Sequence, residues 1–145
     1  MRNQMLQWSA ATLLFWLSAS HSAYAACELW LLEPFTLTQS NGFTVEVSIT
    51  GNYPGNITGW ADYYRSRSER WVRGELANGQ LLGNHLHFLV KWKNGTNGIY
   101  DADIDGSGRI INGKTYDRER PTSKATWTTN VTLKCCVPQP GHPCR

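Results

Sequence analysis

The 145-residue sequence is poor in charge of either sign and has no long hydrophobic run. Its 14 Lys and Arg residues nearly balance 11 Asp and Glu residues, which gives a formal net charge of +3. So small a charge excludes a strongly basic nucleic-acid binder. The longest apolar stretch, Ala10–Leu17, is shorter than the about 20 residues that a membrane-spanning helix requires. We therefore expect neither nucleic acid nor, for the mature chain, a membrane as a partner.

Methionine is also scarce, and both Met residues lie within the first 25 positions. This segment has Arg2 near its start, followed by the apolar stretch. Ala23-Tyr24-Ala25 then places small residues at the two positions that signal peptidase recognises before its cleavage site. The pattern predicts a cleaved signal peptide over Met1–Ala25 and a secreted protein, extracellular or periplasmic. The rest of the chain predicts one folded domain over residues 26–134 and a Cys- and Pro-rich tail over residues 135–145.

Cysteine is limited to four residues, all after the predicted signal peptide: Cys27, Cys135, Cys136 and Cys144. An even number in an exported chain predicts two disulfides. A bridge between the adjacent Cys135 and Cys136 would be strained. Cys27 is therefore expected to pair with one of them, and Cys144 with the other.

Helical periodicity is absent as well, and alternation of apolar and polar residues recurs instead. The alternating segments are Phe43–Thr50, Ile57–Tyr64, Trp71–Ala77, Leu81–Trp92, Ile99–Asp105, Arg109–Tyr116 and Ala125–Lys134, with Glu28–Thr38 as a further strand interrupted at Pro34. Asn78-Gly79 is a typical hairpin dipeptide. These strands predict an all-β antiparallel meander of seven or eight strands that closes into a small barrel, with a β-sandwich as the alternative.

Three short motifs resemble the avidin family. Phe88–Lys93 (FLVKWK) is similar to that family's F-x-V-x-W-K pattern on an inner barrel strand, and Ile104–Gly108 is similar to its next turn. Ala125–Trp127 lies where the family has a Trp on a late strand. The resemblance covers Asn84–Thr128 and implies a calycin-type barrel that holds a small ligand. Glu28–Thr38 lacks the family's Gly-x-Trp-x-Asn opening, so the resemblance implies architecture rather than biotin as the ligand.

Aromatic residues are the main candidates for ligand binding. Alternation places Trp92, Tyr100 and Trp127 on the inward faces of their strands, where a small barrel can hold one ligand. A second aromatic set, Trp60, Tyr64 and Trp71, flanks the basic segment 65–70. Exposed Trp and Tyr provide contact area for a ligand or partner.

Alternating acidic residues suggest a metal site. Asp101, Asp103, Asp105 and Gly106 match the opening D-x-D-x-D-G of a calcium loop, although Asn112 stands where that loop has Glu. The alternative is the solvent-facing side of a strand.

Two histidines form a second candidate for metal binding. His85 and His87 lie two residues apart on one strand face, the spacing of a transition-metal ligand pair. A simple register would place His87 opposite Asp103 and His85 opposite Asp105. The alternative is a set of solvated cross-strand pairs.

Signatures of catalysis are missing from the sequence: neither Ser107 nor Ser123 lies in a Gly-x-Ser-x-Gly elbow. We therefore expect a secreted, non-enzymatic barrel, without a required cofactor, that binds a small ligand in the barrel or at its mouth. One alternative is a protein-interaction module such as an inhibitor of a secreted hydrolase. The other is a metal-assisted enzyme that uses His85 and His87.

Overall fold

The computed structural model describes residues 27, 29–53 and 56–136, which form ten β-strands and no helix. The strands are β1 (Trp30–Leu31), β2 (Phe35–Gln39), β3 (Thr44–Tyr53), β4 (Asn56–Tyr64), β5 (Val72–Leu82), β6 (His85–Trp92), β7 (Asn97–Ile104), β8 (Ile110–Asp117), β9 (Lys124–Thr129) and β10 (Lys134–Cys135). In these ranges no helix has the length and hydrophobicity needed to cross a membrane. The predicted signal peptide and Cys144 lie outside the described residues.

Strands β2 to β9 form a closed barrel in which each strand pairs antiparallel with the next. The last strand returns to the first, because Leu37, Thr38 and Gln39 of β2 pair with residues of β9. Closure satisfies the backbone groups that a sheet edge would expose. The predicted barrel is therefore confirmed, and the sandwich alternative is not.

Alternation places every second side chain inside the barrel. On β6, Leu86, Phe88 and Val90 are almost completely buried. The predicted inward aromatics Trp92, Tyr100 and Trp127 are buried as well. Small β-barrels are filled by such side chains rather than hollow, so any cavity must lie near an end.

Glycine residues make room for the large indoles. A Cβ on Gly113 would lie 2.5 Å from Cδ2 of Trp127, and a Cβ on Gly74 would lie 2.7 Å from Cε3 of Trp92. Each indole therefore lies over a strand position that has no side chain. This pairing lets two tryptophans fit inside a narrow barrel without displacing its backbone.

One end of the barrel is closed by the terminal segments. Strands β1 and β10 pair with each other outside the barrel, and Leu32 and Leu133 are buried there. Trp30 packs against Gly108 in the β7–β8 turn, and its indole N–H donates a hydrogen bond of 3.4 Å to the side-chain oxygen of Asn84. We call this the sealed end.

A disulfide joins the two segments of the sealed end. Cys27 is bonded to Cys135, 108 residues later, which confirms one of the two open pairings for Cys27. The described part of the chain contains no free cysteine. The bridge expected between Cys136 and Cys144 falls partly outside the described residues.

The predicted hairpin turn at Asn78-Gly79 is wrong. Strand β5 continues through these residues to Leu82, and the turn is formed by Gly83 and Asn84. Asn78 has a φ of 51°, and the β5–β6 register shifts at this point, which is the geometry of a β-bulge. A bulge increases strand twist, so the dipeptide bends β5 instead of ending it.

The register predicted between β6 and β7 is also wrong. His87 pairs with Asp101, and His85 pairs with Asp103, each two residues earlier than expected. The cause is the turn, in which the Trp92 N–H donates to the Thr96 carbonyl at 2.9 Å. The turn between the two strands therefore consists of residues 93–96. The side chains still face the same outer surface, because a shift of two residues preserves the face.

Candidate functional site

The end of the barrel opposite the sealed end contains a cavity of about 140 Å³. It lies among four turns, formed by residues 40–43, 65–71, 93–96 and 118–123. In the described part of the chain, no terminal segment folds over these turns. Residues from six of the eight barrel strands line the cavity. We call it the mouth cavity.

The floor of the mouth cavity is a hydrogen-bonded pair that crosses the barrel. The side-chain N–H of Gln39 on β2 donates to the hydroxyl of Tyr100 on β7 at 3.1 Å, and both residues are buried. Burial raises the pKa of Tyr100 to about 12, although hydrogen bonds with Thr115 and Gln39 act in the opposite direction. The hydroxyl therefore stays protonated near neutral pH and acts as a hydrogen-bonding group.

Three aromatic rings form one wall of the cavity. Tyr63 lies edge-to-face against Trp92 at 4.7 Å and against Phe43 at 5.3 Å, measured between ring centroids. The Tyr63 hydroxyl accepts a hydrogen bond of 2.9 Å from the side chain of Asn94. Packing and hydrogen bonding thus hold an apolar wall in a single orientation.

The indole N–H of Trp92 lies beside Gly98, and both residues line the cavity. A Cβ on Gly98 would lie 2.9 Å from Trp92 Nε1 and 2.9 Å from a ring carbon of Tyr100, so Gly98 keeps the space between the two rings open. This N–H has no acceptor among the described residues. Since those residues contain no buried side-chain N or O atom without a partner, this nitrogen is not fully buried.

The structure separates the six predicted ligand-binding residues into three locations. Trp92 and Tyr100 line the mouth cavity. Trp127 belongs to the core, where its indole N–H donates to the Lys114 carbonyl at 2.9 Å. The remaining three, Trp60, Tyr64 and Trp71, lie on the outside of the barrel, at β4 and the β4–β5 turn. The six residues therefore do not converge on a single place in the fold.

Trp60, Tyr64 and Trp71 form an outer aromatic strip. Trp60 is 38% exposed and Trp71 is 41% exposed. Trp71 stacks on Tyr64 with ring centroids 4.5 Å apart, and the Tyr64 hydroxyl donates to Glu46 at 3.0 Å. The strip is a rigid, partly exposed surface on the side of the barrel.

A fixed ion pair lies within the strip. Both carboxylate oxygens of Asp62 accept hydrogen bonds from Arg73, at 2.9 and 2.8 Å. The Arg73 guanidinium carbon lies 5.8 Å from the ring centroid of Trp60. Asp62 raises the pKa of Arg73, mainly through its hydrogen bonds, so the guanidinium keeps its charge.

Four of the predicted metal ligands lie in cross-strand pairs of β6 and β7, His85 with Asp103 and His87 with Asp101. His87 Nδ1 lies 2.6 Å from Asp101 Oδ1, and His85 Nδ1 lies 3.6 Å from Asp103 Oδ1. Among the described residues, no group of three or more His, Cys, Asp or Glu side chains is arranged to hold a metal ion. Asp101 and Asp103 are alternate residues of an extended strand, about 7 Å apart, whereas the residues of a calcium loop wrap around one ion.

Asp105 has a structural role in the β7–β8 turn. Its carboxylate accepts hydrogen bonds from the Ser107 hydroxyl at 2.6 Å and from the Arg109 side chain at 2.9 Å. The Ser107 hydroxyl is the largest cause that lowers the pKa of Asp105. The D-x-D-x-D-G pattern therefore combines an outward strand face with a turn that its last Asp stabilises.

Sequence reasoning missed most of the residues that line the mouth cavity, among them Gln39, Phe43, Tyr63 and Thr115. Gln39 follows Phe35 and Leu37 on the inward face of β2, so a polar residue at an apolar position was the available signal. Tyr63 shares the inward face with Ala61, as alternation predicts. No local pattern indicates that β2, β4 and β8 meet at one end.

A wider hollow of about 760 Å³ lies on the outer surface beside β8 and β9, where Lys114, Tyr116 and Thr126 line it. The smaller mouth cavity is the stronger candidate for a binding site. Aromatic rings and buried polar groups converge on the mouth cavity, as they do in known ligand sites.

Comparison with known proteins adds no relative: no protein-family model, no curated protein and no solved structure matches the chain.

Proposed function

We propose that this protein binds one small, ring-shaped molecule in the mouth cavity and does not transform it. The observation that carries the proposal is the buried Gln39–Tyr100 pair at the base of an aromatic-walled cavity. A buried polar pair costs desolvation energy. Its position below an open cavity lets those groups orient a ligand.

The size of the cavity defines the ligand class. Its volume of about 140 Å³ is close to the roughly 150 Å³ cavity known to hold benzene. Sites for drug-sized ligands occupy about 300–1,000 Å³. We therefore propose a ligand with a single ring inside the cavity and any larger part outside it.

The available hydrogen-bonding groups suit a polar ring. Trp92 offers an indole N–H, and Tyr100 offers a hydroxyl that stays protonated. A protonated phenol does not act as a general base at neutral pH, which supports binding rather than catalysis. The resemblance to the avidin family is consistent with a ligand at the end of a barrel.

We also propose that the protein is exported. The Cys27–Cys135 disulfide supports this, because disulfides persist in oxidising compartments such as the extracellular space and the periplasm.

A fluorescence titration tests the ligand proposal. Purified protein is titrated with a panel of single-ring compounds, and binding at Trp92 should change the tryptophan emission. Tyr100→Phe should weaken binding by roughly 5- to 30-fold, the cost of one or more lost hydrogen bonds. The control Trp60→Phe, on the outer aromatic strip, should leave affinity unchanged. A flat response across the panel would reject the proposal.

The outer aromatic strip supports a second candidate function, binding of a protein partner. Trp, Tyr and Arg are enriched at interface hot spots, and Trp60, Tyr64 and Arg73 are held together there. If the partner is a secreted hydrolase, the protein should inhibit it stoichiometrically. Trp60→Ser together with Trp71→Ser should abolish that inhibition but leave binding in the mouth cavity intact. Inhibition unaffected by both substitutions would reject the strip as the interface.

A further inference from the structure

Positive charge is concentrated around the mouth cavity. The segments 40–43, 65–71, 93–96 and 117–124 contain seven Lys and Arg residues and three Asp and Glu residues, a formal net charge of +4. The corresponding segments at the sealed end, 29–34, 83–84, 105–109 and 130–136, contain two of each sign. One end of the barrel is therefore cationic, although the whole chain is close to neutral.

Two of the three acidic residues at this end are already engaged by neighbouring groups. Asp117, which lines the cavity, accepts hydrogen bonds from the Arg120 guanidinium at 3.0 Å and from the backbone N–H of Glu119 at 2.9 Å. Glu119 accepts a hydrogen bond from the side chain of Asn97 at 2.6 Å. Their charges are thus offset locally, and the remaining cations dominate the rim.

Two cations flank the entrance. Lys124 lines the mouth cavity directly. The Arg65 guanidinium carbon lies 4.6 Å from the ring centroid of Phe43, which also lines the cavity. Arg65 follows β4 and Lys124 begins β9, so the two residues lie on either side of the β2–β3 turn. Neither forms an ion pair with another described residue.

We infer that the ligand of the mouth cavity is a small aromatic acid, whose ring lies against Trp92 and Tyr63 and whose carboxylate or phosphate lies at the rim near Arg65 and Lys124. This inference rests on the proposed function. The stack of Arg65 on Phe43 holds a guanidinium at the edge of the aromatic wall, and guanidinium matches the geometry of carboxylate and phosphate. A cationic rim also attracts anions during their approach.

Benzoate and benzamide make a matched pair of probes, because they have the same shape and differ in charge. Their affinities are measured by calorimetry at low salt and at 1 M salt. We expect benzoate to bind at least about tenfold more tightly at low salt, and the preference to shrink severalfold at 1 M salt, where the Debye length is about 3 Å. Phenyl phosphate is measured alongside, to distinguish a phosphate site from a carboxylate site.

Variants that remove charge identify the residues that cause the preference for benzoate over benzamide. Arg65→Gln combined with Lys124→Gln should bring benzoate to the affinity of benzamide, whereas Arg65→Lys alone should retain the preference because the charge remains. The control combines Lys91→Gln and Lys134→Gln, which removes the same total charge at exposed positions outside the cavity. Equal thermal unfolding of the variants and the wild type verifies that the barrel is intact.

The outcomes separate the two proposals. If benzoate and benzamide bind equally well, the charge inference is overturned and the ligand proposal stands. If the control variant abolishes the preference as fully as the rim variant does, the selectivity comes from overall charge, and the inference is likewise overturned. If neither probe nor any other single-ring compound binds, both proposals fail.

Discussion

The side-chain amide of Gln39 donates a hydrogen bond of 3.1 Å to the hydroxyl of Tyr100, 61 residues away in the chain. Strands β2 and β7, which carry these residues, are not neighbours in the barrel, so the bond crosses the interior. The pair connects opposite walls just below the mouth cavity. It therefore links the stability of this end to the geometry of the site.

The first prediction concerns the energy of that bond. Tyr100→Phe removes the acceptor of the Gln39 N–H and should lower the free energy of unfolding by about 1–3 kcal/mol, the cost of a buried donor without a partner. Gln39→Leu should then cost less in the Tyr100→Phe background than in the wild type, because the bond is already lost. Urea unfolding of the four proteins measures this coupling. Strictly additive costs would show that the bond contributes nothing.

The second prediction concerns alkaline pH. Burial raises the pKa of Tyr100 to about 12, above the about 10 of a tyrosine in the unfolded chain. A raised pKa means that the stabilising contribution is complete below pH about 10 and is lost as pH rises towards 12. The tyrosinate absorbance of the wild type minus that of Tyr100→Phe, recorded after rapid mixing, should have a midpoint near pH 12. A midpoint near pH 10 would contradict the burial of this hydroxyl.

The third prediction concerns the glycine beneath an indole. A Cβ on Gly113 would overlap the backbone oxygen and the indole of Trp127, so Gly113→Ala should destabilise the protein by about 1–3 kcal/mol. Gly106→Ala is the matched control, since a Cβ there meets nothing within 4 Å. That control should change stability by less than about 1 kcal/mol in either direction. Thermal and urea unfolding compare the two variants, and equal effects would refute the packing argument.

The fourth prediction concerns the Cys27–Cys135 bridge. It closes a loop with a sequence separation of 108, so the chain-entropy model predicts a loss of about 4–5 kcal/mol when both cysteines become Ser. The barrel strands close without β1 and β10, and hydrogen exchange should therefore accelerate most at the sealed end, for example at the Leu133 amide. An unchanged free energy of unfolding, or uniform acceleration throughout the barrel, would contradict this assignment.

Much of the fold is predictable because the alternation of side chains is a local property. Phe43–Thr50 and Ile57–Tyr64 each lie almost wholly within an observed strand, and Pro34 separates β1 from β2 as predicted. Asn78-Gly79 failed for a physical reason: a residue with positive φ fits both a tight turn and a β-bulge. The pairing of β5 with β6 decides whether Asn78-Gly79 forms a turn or a bulge.

The candidate site is less predictable. Trp92 and Tyr100 are recognisable as inward aromatics, but Trp127 satisfies the same pattern and lies in the core. Depth along the barrel separates them, and depth depends on register and on which turns meet at each end. Gln39 and Thr115 contribute to the site through contacts between distant strands.

The sequence by itself determined most of the strands, the set of inward side chains and the two possible partners of Cys27, because each follows from local periodicity or from the small number of cysteines. Only the tertiary structure decided which end of the barrel is sealed, which aromatic rings reach the open end, and that Trp60, Tyr64 and Trp71 face outward together. These features depend on the closure of β9 onto β2 and on the bulges that set each register. Closure joins residues that are close in space and far apart in the chain, so no local pattern specifies it.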